Sequence, residues 1–133
     1  MTNLLCFTST FFATNVIVGL YLGYHVYALL FFILMCTSLL NHSTHHPTIN
    51  QIDRMAVMTV AIYGAYMMYQ KQMFDPSLYH ALIILCFLFC VAMYEYGGRI
   101  QQFCFDPNPF LSMFYHGCMH LVGSVGHHFI MLG

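Results

Sequence analysis

The chain carries too few charged side chains to build a surface that faces water. Only three of its 133 residues are basic and four are acidic, whereas 60% are hydrophobic. A soluble domain carries about 25% charged residues, against 5% in this chain. We therefore expect most of the surface to face lipid. The formal net charge of −1 also excludes nucleic acid as a partner, because binding the phosphate backbone needs a basic face.

The first apolar stretch is long enough for two membrane crossings. It covers residues 4–42, whereas about 20 residues span the hydrocarbon core of a bilayer. Gly19, Gly23 and His25 mark the expected break. The pattern predicts a first helix near 4–22 and a second near 25–43.

Three capping signals place the starts of the later helices. A capping box, or an Asp or Asn followed by Pro, is typical of a helix N-terminus. Such signals occur at Thr48-x-x-Gln51, Asp75-Pro76 and Asn108-Pro109, and Gly97-Gly98 is a stop signal. They predict three further helices near 49–69, 76–96 and 109–132.

The five helices predict an all-α integral membrane bundle, formed by a single domain over residues 1–133. Helices satisfy their backbone hydrogen bonds internally, as a segment that crosses lipid must. A closed barrel also meets this requirement, but the apolar segments lack the period-2 alternation of barrel strands.

Five polar residues interrupt the apolar segments in a regular pattern. Ser38 and His42 are spaced S-x-x-x-H, Asp53 follows eleven residues later, and His116 and His120 are spaced H-x-x-x-H. Residues four apart lie one turn apart on the same face of a helix. Ionisable side chains within a spanning helix are costly and mark functional sites. Three imidazoles and a carboxylate are the ligand set that zinc prefers in catalytic sites.

The predicted topology brings these polar residues to one face of the membrane. His42 closes the second helix, Asp53 lies in the first turns of the third, and His116 lies in the first third of the fifth. The third and fifth helices run in the same direction, so these residues lie at similar depth. His127 shares a face with His120 but lies about two turns deeper, some 10 Å away, too far to bind the same ion.

The order of these motifs resembles that of the alkaline ceramidase and adiponectin-receptor superfamily. The resemblance rests on residues 34–53, LMCTSLLNHSTHHPTINQID, and on residues 114–128, FYHGCMHLVGSVGHH. In that superfamily three histidines hold a zinc ion within a seven-helix bundle. The resemblance implies that His42, His116 and His120 are zinc ligands.

The resemblance also implies the catalytic roles. Asp53 would hold the attacking water and act as general base, and Ser38 would help to stabilise the oxyanion. Five helices instead of seven still leave the ligands on one side of the membrane, because an even number is missing. Arg54 follows Asp53, so the Asp-Tyr pair of the receptor branch is absent, and so is the acidic cluster that ceramidases carry before their first helix.

The sequence therefore predicts a zinc-dependent intramembrane hydrolase that acts on a lipid amide or ester and is similar to a ceramidase. Two alternatives remain open: a non-catalytic membrane protein with a structural zinc site, and a protein that binds haem between His42 and His116. We expect a multi-pass protein, in the endoplasmic reticulum or Golgi if the resemblance holds. The stretch from Gly19 to Gly23 offers a surface for close approach. Through it a homodimer would form and replace the wall of the bundle that the two missing helices would otherwise provide.

Overall fold

The structure is a computed structural model that describes residues 2–133, and within that range it contains helices and no strand. The predicted all-α fold is confirmed. Five helical segments are joined by short turns. The first and the fourth are each interrupted, so the described residues form seven α-helices. In chain order the helices are α1 (Thr2–Ser9), α2 (Phe12–Tyr21), α3 (His25–Thr44), α4 (Pro47–Gln70), α5 (Pro76–Val91), α6 (Gly97–Ile100) and α7 (Pro109–Leu132).

Two of the three predicted helix starts are confirmed by their capping hydrogen bonds. Asp75 accepts from the backbone N–H of Leu78 at 3.2 Å, at the start of α5. Asn108 accepts from the backbone N–H of Phe110 at 3.0 Å, at the start of α7. In both helices a proline fills the first position, where its missing N–H costs no hydrogen bond.

The predicted start of α4 is wrong by two residues. Pro47 occupies the first position of the helix, and His46 is its N-cap. The imidazole Nδ1 of His46 accepts from the backbone N–H of Thr48 at 3.2 Å. The helix therefore begins with a histidine cap and a proline, rather than with the capping box that Thr48 and Gln51 suggested.

The first predicted helix is divided at Thr10 and Phe11. Just before the break, the hydroxyls of Thr8 and Ser9 donate to the carbonyl of Leu5, at 3.1 and 2.7 Å. Hydroxyls that bond back to the preceding turn compete with the helical ladder and bend helices. The break directs the last turn of α1 toward α3 and α7, both of which it contacts.

The predicted stop at Gly97-Gly98 is also wrong. A π-helical turn, Ala92–Tyr96, leads from α5 into α6, which continues through both glycines to Ile100. Gly97 is needed for packing, because a Cβ there would lie 2.7 Å from the carbonyl oxygen of Gln102. A 3-10 turn, Phe103–Phe105, then connects to α7.

Three stretches are long and apolar enough to cross a membrane: Leu4–Tyr21, His25–Thr44 and Pro76–Ile100. The first combines α1 and α2, and the third combines α5, the π-helical turn and α6. The other two predicted spans, α4 and α7, fall outside this set. Both have the length of a crossing, at 24 residues each, but they carry much of the polar sequence, including Asp53 and four histidines.

Helix α3 lies at the centre of one half of the bundle, and α7 at the centre of the other. α3 packs against α1, α2 and α4, whereas α7 packs against α1, α2 and α5. The apolar core extends from the middle of the bundle to the end where α3 begins and α7 ends. Its members are Phe12, Tyr27, Phe31, Leu34, Val60, Met73, Ile83, Ile130 and Met131.

The same end of the bundle is closed by Lys71, the residue after α4. Its ammonium donates to the backbone carbonyls of Ile130 and Met131, at 3.1 and 2.5 Å. These carbonyls belong to the last turn of α7, where helical partners run out and a cation is favourable. Lys71 therefore ties the end of α4 to the end of α7.

Gly19 and Gly23 serve the packing and the turn inside this chain. A Cβ on Gly19 would lie 3.1 Å from the Cβ of Ala28, so the residue allows α2 to approach α3 closely. Gly23 has a φ of 79° in the turn between these helices, a conformation that favours glycine. Within the described residues, the close approach at Gly19 is thus filled by α3 rather than left for a second copy.

Candidate metal centre

Three histidines from two helices meet toward the end of the bundle where α3 ends, and Phe12 of the apolar core packs against one of them, with its ring centroid 5.5 Å from that of His120. His42 lies in the last turn of α3, and His116 and His120 lie one turn apart on α7. One ligand nitrogen from each imidazole lies within 4.8 Å of the other two. The ring centroids are 4.8 Å apart for His116 and His120, and 4.9 and 5.2 Å from His42 to His116 and His120. The structure thus brings together the three residues predicted as ligands.

The cluster leaves one buried nitrogen without a partner. His42 and His120 are buried, and His116 is half-buried. The Nε2 atom of His42 makes no hydrogen bond, and it is the one such buried side-chain atom among the described residues. Buried polar atoms are almost always paired, so each exception needs an explanation. A metal ion bound between the three rings would supply the missing partner.

The distances suit a small ion held by nitrogen. In a tetrahedral zinc site with Zn–N bonds of about 2.0–2.1 Å, the ligand nitrogens lie roughly 3.3 Å apart. The three nitrogens here lie within 4.8 Å of one another, so modest ring rotations would bring them to that spacing. The geometry therefore fits one ion with three imidazole ligands and an open fourth position.

Asp53 is held by two side chains of α3 and does not lie within the cluster. Its carboxylate is buried and accepts from the hydroxyl of Thr37 at 2.9 Å and from the side-chain amide of Asn41 at 3.1 Å. Asn41 immediately precedes His42. Asp53 does not belong to the group of ligand atoms within 4.8 Å that the described residues form. Its position suits a neighbour of the site better than a ligand.

Ser38 lies one turn before His42 and is fully buried, at 1% exposure. Its hydroxyl oxygen is 2.7 Å from that of Ser9 on α1. The Ser9 hydroxyl also lies 2.7 Å from the carbonyl oxygen of Leu5, and either serine can donate the hydrogen that the two hydroxyls share. The predicted oxyanion donor is therefore engaged with α1 in this structure.

An open pocket of about 500 Å³ lies against the cluster. Two of the three histidines, His42 and His116, reach its surface. Most of the remaining lining is polar and comes from the start of α4 and the end of α3. The full lining is Leu5, Asn41, His42, His45, Pro47, Asn50, Gln51, Arg54 and His116. The pocket would give a polar group of a ligand access to the histidines.

Tyr94 and Arg54 border the cluster, and the sequence pattern did not single out either as a functional residue. The π-helical turn carries Tyr94, whose ring lies edge-on to His116 with centroids 6.3 Å apart. The guanidinium of Arg54 lies 5.4 Å from the centre of the Tyr94 ring. π-helical turns are frequent at functional sites, but no spacing of residues in the sequence predicts one.

The six cysteines do not contribute to the cluster within the described residues. Cys104, in the loop before α7, is buried, and its burial raises the pKa of the thiol to about 11. Among the described residues, the candidate ligand set consists of nitrogen atoms alone.

The other histidines of α7 are engaged elsewhere, as the depth of His127 predicted. His127 hydrogen-bonds the hydroxyl of Tyr27. His128 lies 2.7 Å from the carbonyl of Ser124 and 3.2 Å from the side-chain nitrogen of Asn15. Both therefore have partners from the protein itself.

Comparisons of the chain with protein-family models, with curated proteins and with solved structures found no match. The chemistry of the histidine cluster and its surroundings therefore carries the functional inference.

Proposed function

We propose that the protein is a multi-pass membrane hydrolase that binds one zinc ion through His42, His116 and His120 and cleaves an amide or ester bond of a membrane lipid. The observation that carries the proposal is the unpaired, buried Nε2 atom of His42 within a cluster of three imidazoles. The resemblance to the alkaline ceramidase and adiponectin-receptor superfamily supports it, and favours the endoplasmic reticulum or Golgi.

Zinc is the ion that best fits this set of ligands. Imidazole suits zinc and several other transition metals, and three protein ligands with an open fourth position are typical of catalytic zinc sites. When bound, zinc supplies a Lewis acid that polarises a carbonyl and lowers the pKa of bound water toward 7. The direct contact of the His42 and His116 rings leaves no room for a porphyrin between them, so haem binding is not favoured.

Asp53 is the proposed general base. Hydrogen bonds from Thr37 and Asn41 fix its two carboxylate oxygens, and the same Asn41 precedes a metal ligand. In this role Asp53 accepts the proton of the attacking water and returns it to the leaving group. A positioned acid–base residue of this kind contributes about 10²–10⁴-fold to the rate.

Ser38 is the proposed donor to the oxyanion that develops on the substrate carbonyl. To reach it, the Ser38 hydroxyl would turn away from Ser9, which retains the carbonyl of Leu5 as its own acceptor. A single oxyanion donor is worth about 10²–10³-fold in kcat.

A lipid is the proposed substrate because of where the site lies. The pocket opens at the end of α3 and the start of α4, next to segments long and apolar enough to cross a membrane. Acyl chains would lie along the apolar helices while the scissile carbonyl reaches the histidines. The proposed partners are a membrane lipid and a second copy of the chain, which would stand in for the two helices that the seven-helix bundle has in addition and would bind at a surface other than Gly19.

A structural zinc site is the second candidate, favoured by the burial of His42 and His120. In this case zinc would join α3 to α7 without turnover. Replacement of Asp53 separates the two candidates, because a structural site does not need a general base.

The test is the zinc content of the purified protein in detergent. We expect about one zinc per chain in the wild type and none in H116A or H120A. His25, exposed at the far end of α3, provides the matched control, and H25A should retain zinc. A wild-type protein without zinc, or zinc that survives both ligand substitutions, would remove the hydrolase and the structural zinc site together. Zinc-loaded protein that cleaves none of a panel of lipid amides and esters would leave the structural site alone.

A further inference from the structure

The buried hydroxyl of Thr8 contacts one ring nitrogen of His120, Nδ1. Thr8 lies in the last turn of α1 and is 5% exposed. Its Oγ1 atom is 2.9 Å from Nδ1 of His120, across a separation of 112 residues. This is the distance of a well-formed hydrogen bond.

The direction of this hydrogen bond depends on the tautomer of His120. The Thr8 hydroxyl also lies within donating distance of the carbonyl of Leu5, at 3.1 Å. A hydroxyl has one hydrogen and two lone pairs, so when that hydrogen goes to Leu5, the Thr8 oxygen accepts from His120. In this arrangement His120 carries its hydrogen on Nδ1. In a neutral imidazole the other nitrogen, Nε2, then presents a lone pair.

The backbone of α7 is shaped to admit Thr8 at this point. Gly117 lies between His116 and His120, and a Cβ there would lie 3.3 Å from the Cγ2 methyl of Thr8. That separation is tighter than ordinary van der Waals contact. A larger side chain at position 117 would require the Thr8 side chain to shift by a few tenths of an ångström.

We propose that Thr8 is a positioning residue that fixes His120 in the tautomer whose Nε2 atom binds metal. The inference rests on the proposed zinc site. A histidine ligand commonly donates its second N–H to a carbonyl, carboxylate or water, which sets its tautomer and orientation, and loss of such a partner costs about 10–100-fold in metal affinity. In this chain a threonine hydroxyl takes that place, backed by the carbonyl of Leu5.

The test compares T8V with T8S. Valine keeps the shape of threonine and loses the acceptor, whereas serine keeps the acceptor and loses the methyl group. We measure the zinc dissociation constant by competition with a chelator in detergent. T8V should bind zinc about 10–100-fold more weakly, and T8S should bind like the wild type. T14V is the matched control, because the Thr14 hydroxyl is exposed and bonds only locally, to the carbonyl of Phe11.

A second measurement reads the tautomer directly and needs no metal. Nitrogen-15 NMR of histidine-labelled, zinc-free protein should show His120 protonated on Nδ1 in the wild type and in T8S. In T8V this signature should weaken or move to Nε2. Because the wild-type spectrum alone reports the tautomer, it remains decisive even if T8V does not fold.

Three results would overturn the role of Thr8: His120 protonated on Nε2 in the wild type, zinc affinity unchanged in T8V, or equal losses in T8V and T8S. The last result would mean that shape, not the hydroxyl, is what matters. A wild type that binds no zinc contradicts the proposed function instead, and the tautomer measurement then still tests the hydrogen bond.

Discussion

Helix α7 carries histidines at two places, and their polar atoms find partners in different ways. At its end, His127 pairs with the hydroxyl of Tyr27 and packs edge-on against Phe31, with ring centroids 5.0 Å apart. Nearer its start, His116 and His120 contact each other and His42, and the Nε2 atom of His42 remains unpaired. The residue type is the same, but the partners differ.

This contrast distinguishes a histidine whose hydrogen-bond partner comes from the core from one whose buried nitrogen has no partner in the protein. A buried polar atom left unpaired costs about 1–3 kcal/mol, so a fold that keeps one must recover the cost elsewhere. At His127 the protein supplies the hydroxyl. At His42 an ion would supply the missing partner, and we expect only that cluster to respond to metal.

The largest effect should come from Asp53, the proposed general base of the site that His42, His116 and His120 form. D53N keeps the size of the side chain and removes the proton acceptor. We expect zinc content to stay at the wild-type level while kcat for a lipid substrate falls about 10²–10⁴-fold. E95Q, at an exposed position next to Tyr94, is the control. Full activity in D53N would exclude Asp53 as general base.

Zinc itself should stabilise the fold through one cluster only. A ligand that binds the folded state at 1,000 times its dissociation constant adds about 4 kcal/mol to the free energy of unfolding. We expect zinc to raise the thermal midpoint of the wild type in detergent and to have no effect on H42A. An H42A protein that zinc stabilises as strongly as the wild type would place the ion elsewhere.

The Tyr27 hydroxyl should matter for stability and not for metal. Y27F leaves Nδ1 of His127 unpaired in the core, and we expect the free energy of unfolding to fall by about 1–3 kcal/mol. Zinc affinity should be unchanged. Y66F, at an exposed position on α4, should change neither. Loss of zinc binding in Y27F would show that the pair of Tyr27 and His127 is coupled to the site that His42, His116 and His120 form.

The smallest effect is expected at the contact between Arg54 and Tyr94, which lies 5.4 Å from guanidinium to ring centre. Cation–π contacts at exposed sites contribute about 0.5–1 kcal/mol, so R54Q should lower the free energy of unfolding by no more than this. R99Q, at another exposed arginine, should have no effect. A loss of zinc in R54Q would mean that this contact holds the three clustered histidines in place.

Local signals in the sequence were sufficient for much of the fold. Asp75 and Asn108 cap helices where their side chains and the following prolines predicted, because capping depends on neighbours within one turn. The spacing of His116 and His120 placed both on one face of α7 for the same reason. The pairing with His42 followed from the direction of the helices.

Features that depend on contacts between distant parts of the chain were not predictable. Thr8 and Ser9 look like ordinary helix residues until α1 meets α3 and α7. The π-helical turn that brings Tyr94 to His116 has no spacing of its own in the sequence. The predicted stop at Gly97 failed because that glycine serves a close approach to Gln102.

The most direct test of the zinc site is X-ray absorption at the zinc edge on the zinc-loaded protein, with H120A and H25A measured in parallel. The account predicts three nitrogen ligands at about 2.0–2.1 Å and one further light atom in the wild type and H25A. In H120A this shell should be lost or reduced to two imidazoles. A sulfur ligand at about 2.3 Å, or a shell unchanged by H120A, would contradict a site built from His42, His116 and His120.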